Sequence, residues 1–65
     1  MVKRGDRFWD ERNNRYLTAD AVGTNPKVWY CLITVAKKNK NGSDYHTLVG
    51  NTYIRANDLE ALPRR

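Results

Sequence analysis

VWYCLITVA, residues 28–36, is the longest apolar run of the chain. β-branched and aromatic residues dominate it, and both alternating sets of positions are apolar, as in a strand at the centre of a sheet. The run is nine residues long and includes Thr34, whereas a membrane-spanning helix needs about 20 predominantly apolar residues. It therefore predicts a central strand covered on both faces, and no membrane association.

The sequence on either side of this run indicates further strands and tight connections. Lys37 to Ser43 is a polar loop whose Asn41-Gly42 can supply positive φ angles, so a hairpin to a strand at residues 45–49 is expected. Gly50-Asn51 turns or bulges that strand, which continues through residues 52–55. Before the run, Gly23 to Pro26 ends a strand predicted over residues 16–22.

The two ends of the chain carry weaker signals. A short strand is predicted over residues 7–10, followed by a polar loop from Glu11 to Arg15 in which Asn13-Asn14 can adopt left-handed conformations. Near the C-terminus, Leu59 and Leu62 share one side of a short helical turn that Pro63 ends. The spacing favours a 3₁₀ turn over a helix.

These elements predict an all-β fold in a single domain over residues 1–65. About five short strands and a C-terminal 3₁₀ turn suggest a small, partly open barrel, because wrapping the sheet protects its edges. A chain this short buries only roughly 60% of its unfolded surface, so a large active-site cleft is not expected. The expected core comprises Phe8, Leu17, Ala19, Ile33, Leu48, Ile54, Leu59 and Leu62.

Composition restricts the function further. The net charge of +5 and the pI near 9.7 favour phosphates or an acidic partner. One Cys and one His exclude a disulfide framework and a self-sufficient zinc site, and no cofactor is expected. The charged N-terminus lacks the apolar run of a secretory signal, and the lone Cys31 suits a reducing compartment, so a cytoplasmic location is expected.

Val2-Lys3-x-Gly5-Asp6-x-Phe8 resembles the opening strand of SH3-like barrels of the KOW and Tudor kind. The wider pattern, which adds Asp10, Arg55, Leu59 and Leu62, is similar to small proteins encoded by actinobacteria and their phages. The resemblance implies that Phe8 points inward and Trp9 outward. It also implies that the first loop and the distal hairpin lie toward different ends, which argues against one continuous basic patch. Such folds often bind a peptide between two loops, here residues 11–15 facing residues 23–27.

The basic residues concentrate in two segments. Residues 1–15 hold five basic and three acidic side chains, and residues 37–40 hold three lysines. Clustered cations of this kind bind phosphates through counterion release, and neighbouring aromatic rings stack on bases. The candidate phosphate contacts are Arg4, Arg7, Arg12, Arg15, Lys37, Lys38 and Lys40, and the candidate stacking residues are Trp9, Tyr16 and Tyr30.

A protein-interaction module is the alternative. Exposed Trp, Tyr and Arg side chains also anchor protein interfaces, so Trp9, Tyr16, Tyr30 and Arg15 could equally contact a protein, such as the host factor of a phage accessory protein. The sequence leaves the choice between DNA, RNA and a protein open, and it is compatible with a monomer or a homodimer. No small-molecule substrate is indicated.

Catalysis has the weakest support. His46 is the one side chain that titrates near neutral pH, and no nucleophile is evident beside it. Asp44 and His46 share a strand face and are expected to form a surface pair. Cys31 lies among apolar residues, which makes a thiol inert. The chain is therefore predicted not to be an enzyme.

Overall fold

A computed structural model describes residues 1–65, and it contains one antiparallel sheet of four strands. Strands β1 (Arg7–Asp10), β2 (Arg15–Val22), β3 (Val28–Lys38) and β4 (Asp44–Arg55) follow one another in space in chain order. A 3₁₀ turn (Glu11–Asn13) connects β1 to β2, and helix α1 (Ala56–Glu60) follows β4. The sheet does not close, which confirms the expected all-β, partly open architecture. It has four strands where about five were expected, because residues 45–49 and 52–55 belong to one strand, β4.

The hairpin of β3 and β4 extends beyond the rest of the sheet. The pairing of β2 with β3 stops at Tyr16 opposite Thr34, whereas β3 and β4 stay paired as far as Lys38 opposite Asp44. The molecule is consequently elongated, with extents of 42 × 19 × 18 Å and a radius of gyration of 12.3 Å. A compact chain of this length has a radius of gyration of about 11 Å.

Only one face of the sheet is covered. On this inner face Phe8, Leu17, Ala19, Cys31 and Leu59 are buried together with Val2. Ile33, Ile54 and Leu62 pack against them, so seven of the eight expected core residues lie in or beside the core. The opposite face, called the outer face below, has no second layer, so the prediction that β3 is covered on both faces is wrong. Five helical residues and two short termini are too little chain to cover two faces.

Leu48 is the exception among the expected core residues. It is 60% exposed, because β4 carries one extra residue where its register against β3 shifts between Ile33 and Thr34. Gly50 lies opposite Ile33 and Leu48 opposite Thr34, which leaves Val49 as the extra residue. A bulge reverses the faces of the residues that precede it, so it turns Leu48 to the outer face. The sequence prediction of a bulge near Gly50 is confirmed, and its effect on Leu48 was missed.

The C-terminal segment closes one edge of the sheet. The expected helical turn forms as the five-residue α-helix α1 rather than as a 3₁₀ turn, and it buries Leu59 completely. The chain then runs along β1, where the Trp9 N–H donates to the carbonyl of Pro63 at 2.9 Å and the Arg65 N–H to that of Arg7 at 2.8 Å. No helix has the length and apolar character needed to cross a membrane.

Candidate nucleic-acid interface

Four side chains from three strands meet on the outer face: Arg7 and Trp9 of β1, Tyr16 of β2 and His46 of β4. We call them the aromatic cluster. The ring centroids of Trp9 and Tyr16 lie 4.8 Å apart, as do those of Tyr16 and His46. In a flat sheet β1 and β4 would be separated by three strand spacings, about 14 Å. The side chains of Arg7 and Tyr16 extend across the outer face far enough to reach His46.

Arg7 connects the cluster. Its Nη1 lies 3.3 Å from Nε2 of His46, and the guanidinium carbon lies 5.3 Å from the centroid of the Tyr16 ring. Because a guanidinium only donates, Nε2 of His46 is the accepting atom of this contact. The charge is held over the ring face in a cation–π arrangement.

Two polar atoms beside the cluster are buried and have no hydrogen-bond partner. They are Nε of Arg7 and Oγ1 of Thr34, whose residue lies directly opposite Tyr16. Buried polar groups without partners are uncommon and costly. Both atoms belong to outer-face residues but are shielded from solvent.

The turn between β1 and β2 sets the position of Trp9 and Tyr16. Asn14 adopts a left-handed conformation with φ of 53°, as expected, and its N–H donates to the Glu11 carbonyl at 3.1 Å. The resulting hairpin pairs Trp9 with Tyr16 on the outer face while Phe8 points into the core. The inward Phe8 and outward Trp9 implied by the family resemblance are confirmed.

This short turn also rules out the expected peptide groove. Residues 11–14 precede β2, which begins at Arg15, and residues 23–27 follow it, so the two loops lie at opposite ends of an eight-residue strand. At about 3.3 Å per residue they are roughly 20 Å apart. A longer first loop would be needed to fold back over the sheet.

The first loop and the lysine-bearing hairpin lie toward the same end of the molecule. Since β2 and β3 are antiparallel, the start of β2 and the end of β3 share one end of the sheet. Arg12 in the 3₁₀ turn and Lys37, Lys38 and Lys40 on the hairpin are all exposed there. The implied separation of the first loop from the distal hairpin is therefore incorrect.

Arg15 and Arg4 do not join this group of free cations. Nε of Arg15 donates to Asp10 at 2.9 Å, and Nδ2 of Asn13 donates to the same carboxylate oxygen at 2.9 Å. Burial raises the pKa of Asp10, but these hydrogen bonds and the charge of Arg15 outweigh it and hold the pKa below its ordinary value. Arg4 lies in the turn before β1, toward the opposite end of the sheet, where the Gly5 N–H donates to the Ala19 carbonyl.

Tyr30 lies on the outer face but away from the cluster. Its ring pairs with that of Tyr53 on β4, with centroids 5.4 Å apart, near the end of the sheet opposite the lysine-bearing hairpin. A surface cavity of about 450 Å³ also lies toward that opposite end. None of the predicted site residues lines it; its lining residues are Asn25, Lys27, Val28, Arg55, Ala56 and Asn57.

His46 and Thr34 are members of this site that the sequence analysis missed. The expected surface pair of Asp44 with His46 does not form, because His46 contacts Arg7 and Tyr16 instead. The available signal was Thr34 itself, a polar residue within an apolar run. Cys31 is buried on the inner face, where desolvation raises the pKa of its thiol to about 11.

The chain matches no family model, no curated protein and no solved structure.

Proposed function

We propose that this protein is a non-catalytic module that binds single-stranded nucleic acid across the outer face. Bases stack on Trp9 and Tyr16, Arg7 contacts the same segment, and the exposed cations at that end hold phosphates. These cations are Arg12, Lys37, Lys38 and Lys40. The observation that supports the proposal is that an uncovered aromatic cluster, the first loop with Arg12 and the lysine-bearing hairpin occupy one end of the molecule.

Single strands fit this surface better than duplexes. Stacking on a protein ring requires a base whose own face is free, and unpaired bases meet that condition. The rings of Trp9 and Tyr16 lie side by side on the outer face, with centroids 4.8 Å apart.

The residue set differs from the one predicted from sequence. Arg7, Trp9 and Tyr16 remain, with Arg12 and the three lysines. Arg4 and Tyr30 lie too far toward the other end, and Arg15 is neutralised by Asp10. The proposal includes an SH3-like character for this open sheet and a cytoplasmic location, the latter consistent with an unpaired, buried Cys31.

Aromatic substitutions test the proposed stacking. Trp9→Ala and Tyr16→Ala should each weaken binding of a labelled oligothymidylate or oligouridylate by about ten-fold or more, since each stacked base contributes ~1–3 kcal/mol. Tyr45→Ala is the matched control: Tyr45 is 44% exposed beside the same lysines, but its register opposite Lys37 places it on the inner side of the hairpin. Equal losses from all three substitutions would contradict stacking on the outer face. Circular dichroism of each variant checks that the sheet is intact.

A protein-interaction module remains a second candidate, including a phage accessory protein that engages a host factor. Exposed apolar side chains on β4, among them Leu48 at 60% and Tyr53 at 64%, favour it. A protein partner whose binding survives high salt and is lost with Trp9→Ala, with no nucleic-acid binding at low salt, would establish this alternative.

A further inference from the structure

Strand β4 is a long and unpaired edge. The other edge of the sheet, at β1, is covered by the chain around Arg64. β4 pairs with β3 on one side and with no strand on its other side, over twelve residues. Such an edge exposes a row of N–H and C=O groups that another strand can pair with, and natural proteins usually block it with charges or prolines. β4 has no proline, and its only acidic and basic side chains are those of Asp44, His46 and Arg55.

The exposed apolar side chains of the molecule concentrate on this edge. Of the six large hydrophobic residues that are exposed, four lie on β4: Tyr45, Leu48, Val49 and Tyr53. Their distribution along the strand is not explained by packing within the chain, and burying them would remove substantial apolar surface from water.

The bulge makes β4 complementary to itself. In β3 the even-numbered residues point to the outer face. Asp44 pairs with Lys38 and Arg55 pairs with Val28, and both of these β3 residues are even-numbered. Asp44 and Arg55 therefore both point to the outer face. Without the extra residue Val49, positions 44 and 55 would point to opposite faces. Two copies of β4 can therefore pair antiparallel about an axis between Val49 and Gly50 with their faces matched throughout.

In that register Asp44 of each copy lies opposite Arg55 of the other. The symmetric arrangement forms two cross-strand pairs of opposite charge, which stabilise antiparallel strands. Neither residue has an ion pair within its own chain. The opposite charges at the two ends of β4, the matching of its faces and its exposed apolar side chains thus all favour the same partner, a second copy of this chain.

We propose that the protein forms a homodimer through β4, in which two four-stranded sheets become one continuous eight-stranded sheet. His46 of one copy then lies opposite Tyr53 of the other, so the aromatic cluster is continued by the Tyr53 and Tyr30 pair of the second copy. The dimer forms independently of any nucleic acid. It would double the length of the outer surface and make the two copies of the basic hairpin act together.

Sedimentation of the full chain without nucleic acid tests the proposal. A single pair of edge strands is at the small end of interface sizes, so the measurement extends to about 1 mM protein at low salt. The wild-type chain should show a monomer–dimer equilibrium. D44R and R55D should each weaken it by roughly ten-fold, because each places like charges opposite one another twice. The double variant D44R/R55D should restore it.

A cross-linking variant tests the register itself. Under oxidation D44C/R55C should give a covalent dimer, because the thiol introduced at position 44 of each copy then lies opposite the thiol introduced at position 55 of the other. D44C and R55C alone should not, because the single new thiol then lies opposite Arg55 or Asp44 and not opposite a second thiol. All variants also contain the native Cys31, which is buried, so any difference in cross-linking between them comes from the introduced cysteines. A wild-type chain that stays monomeric at the highest concentration overturns the proposal. So does a dimer that is insensitive to the charge swap and gives no D44C/R55C cross-link.

Discussion

Asp10 shows how one buried carboxylate organises the end of the sheet that carries the aromatic cluster. It closes β1, is only 7% exposed, and accepts hydrogen bonds from Asn13 and Arg15 across the turn into β2. Those bonds hold together the hairpin on which Trp9 and Tyr16 face each other. A buried carboxylate without such donors would destabilise the fold, so the three residues act as a unit.

Removing the charge of Asp10 should destabilise the protein. We expect Asp10→Asn to lower the free energy of unfolding at neutral pH by about 1–3 kcal/mol, because Arg15 and Asn13 lose a charged acceptor. The pKa of Asp10 is lowered in the folded chain, so its contribution is fully present above the ordinary carboxylate pKa of about 4 and is lost as the pH falls through the folded value. Urea unfolding at pH 7 and pH 3 checks both points. A difference between wild type and variant that is equally large at pH 3 would contradict this role.

Strands with strong local signals were predictable and their long-range geometry was not. The apolar run of β3, the alternation of β2 and the Asn41-Gly42 turn locate three connected elements, because side-chain period and turn chemistry are local properties. The face of Leu48 and the contact of His46 with Arg7 depend on a bulge in β4 and on the arrangement of all four strands in the sheet. Neither follows from residue spacing, since one extra residue in a strand reverses every face before it. For the same reason Arg7, Trp9 and Tyr16 were found as candidates while their partner was missed.

Hairpin geometry should depend on the glycine at its tip. Gly42 has a φ of 85°, which L residues adopt at a cost, so Gly42→Ala should lower the free energy of unfolding by about 1 kcal/mol. Gly50→Ala is the matched control, because Gly50 has no positive φ and an added Cβ would meet the Ile33 side chain at an ordinary 3.9 Å. Thermal unfolding of both variants measures the difference. If Gly50→Ala is the more damaging change, the bulge, not the turn, is the sensitive point of the hairpin.

The whole molecule is elongated because its residues are distributed unevenly among the strands. Two long strands hold 23 residues, and their distal part has neither β1 nor β2 beside it. That part carries Lys37, Lys38 and Lys40 away from the core, where they form no ion pairs. The core at the other end is small, because α1 and the termini cover one face alone. Because the two long strands take up 23 residues, little of the chain is left either to pack beside the distal hairpin or to cover the outer face.

Charge reversal on the hairpin should weaken nucleic-acid binding more than the same reversal elsewhere. K37E/K38E/K40E should abolish most of the affinity and reduce the dependence of log K on log salt by about two, the value for three lost phosphate contacts on a single strand. K3E/R4E/K27E changes the net charge equally at the opposite end of the sheet and should retain most of the binding. Filter binding over a range of salt concentrations compares the two. Equal losses would indicate a general effect of net charge.

The central claim is that the outer face binds single strands, and fluorescence anisotropy of labelled single-stranded DNA, single-stranded RNA and duplex DNA tests it most directly. Titrations at 50 and 200 mM salt should show binding that weakens steeply with salt and that favours a single strand over the duplex. Absence of binding to every ligand at 50 mM salt, where electrostatic attraction is strongest, would contradict the claim, as would a clear preference for the duplex.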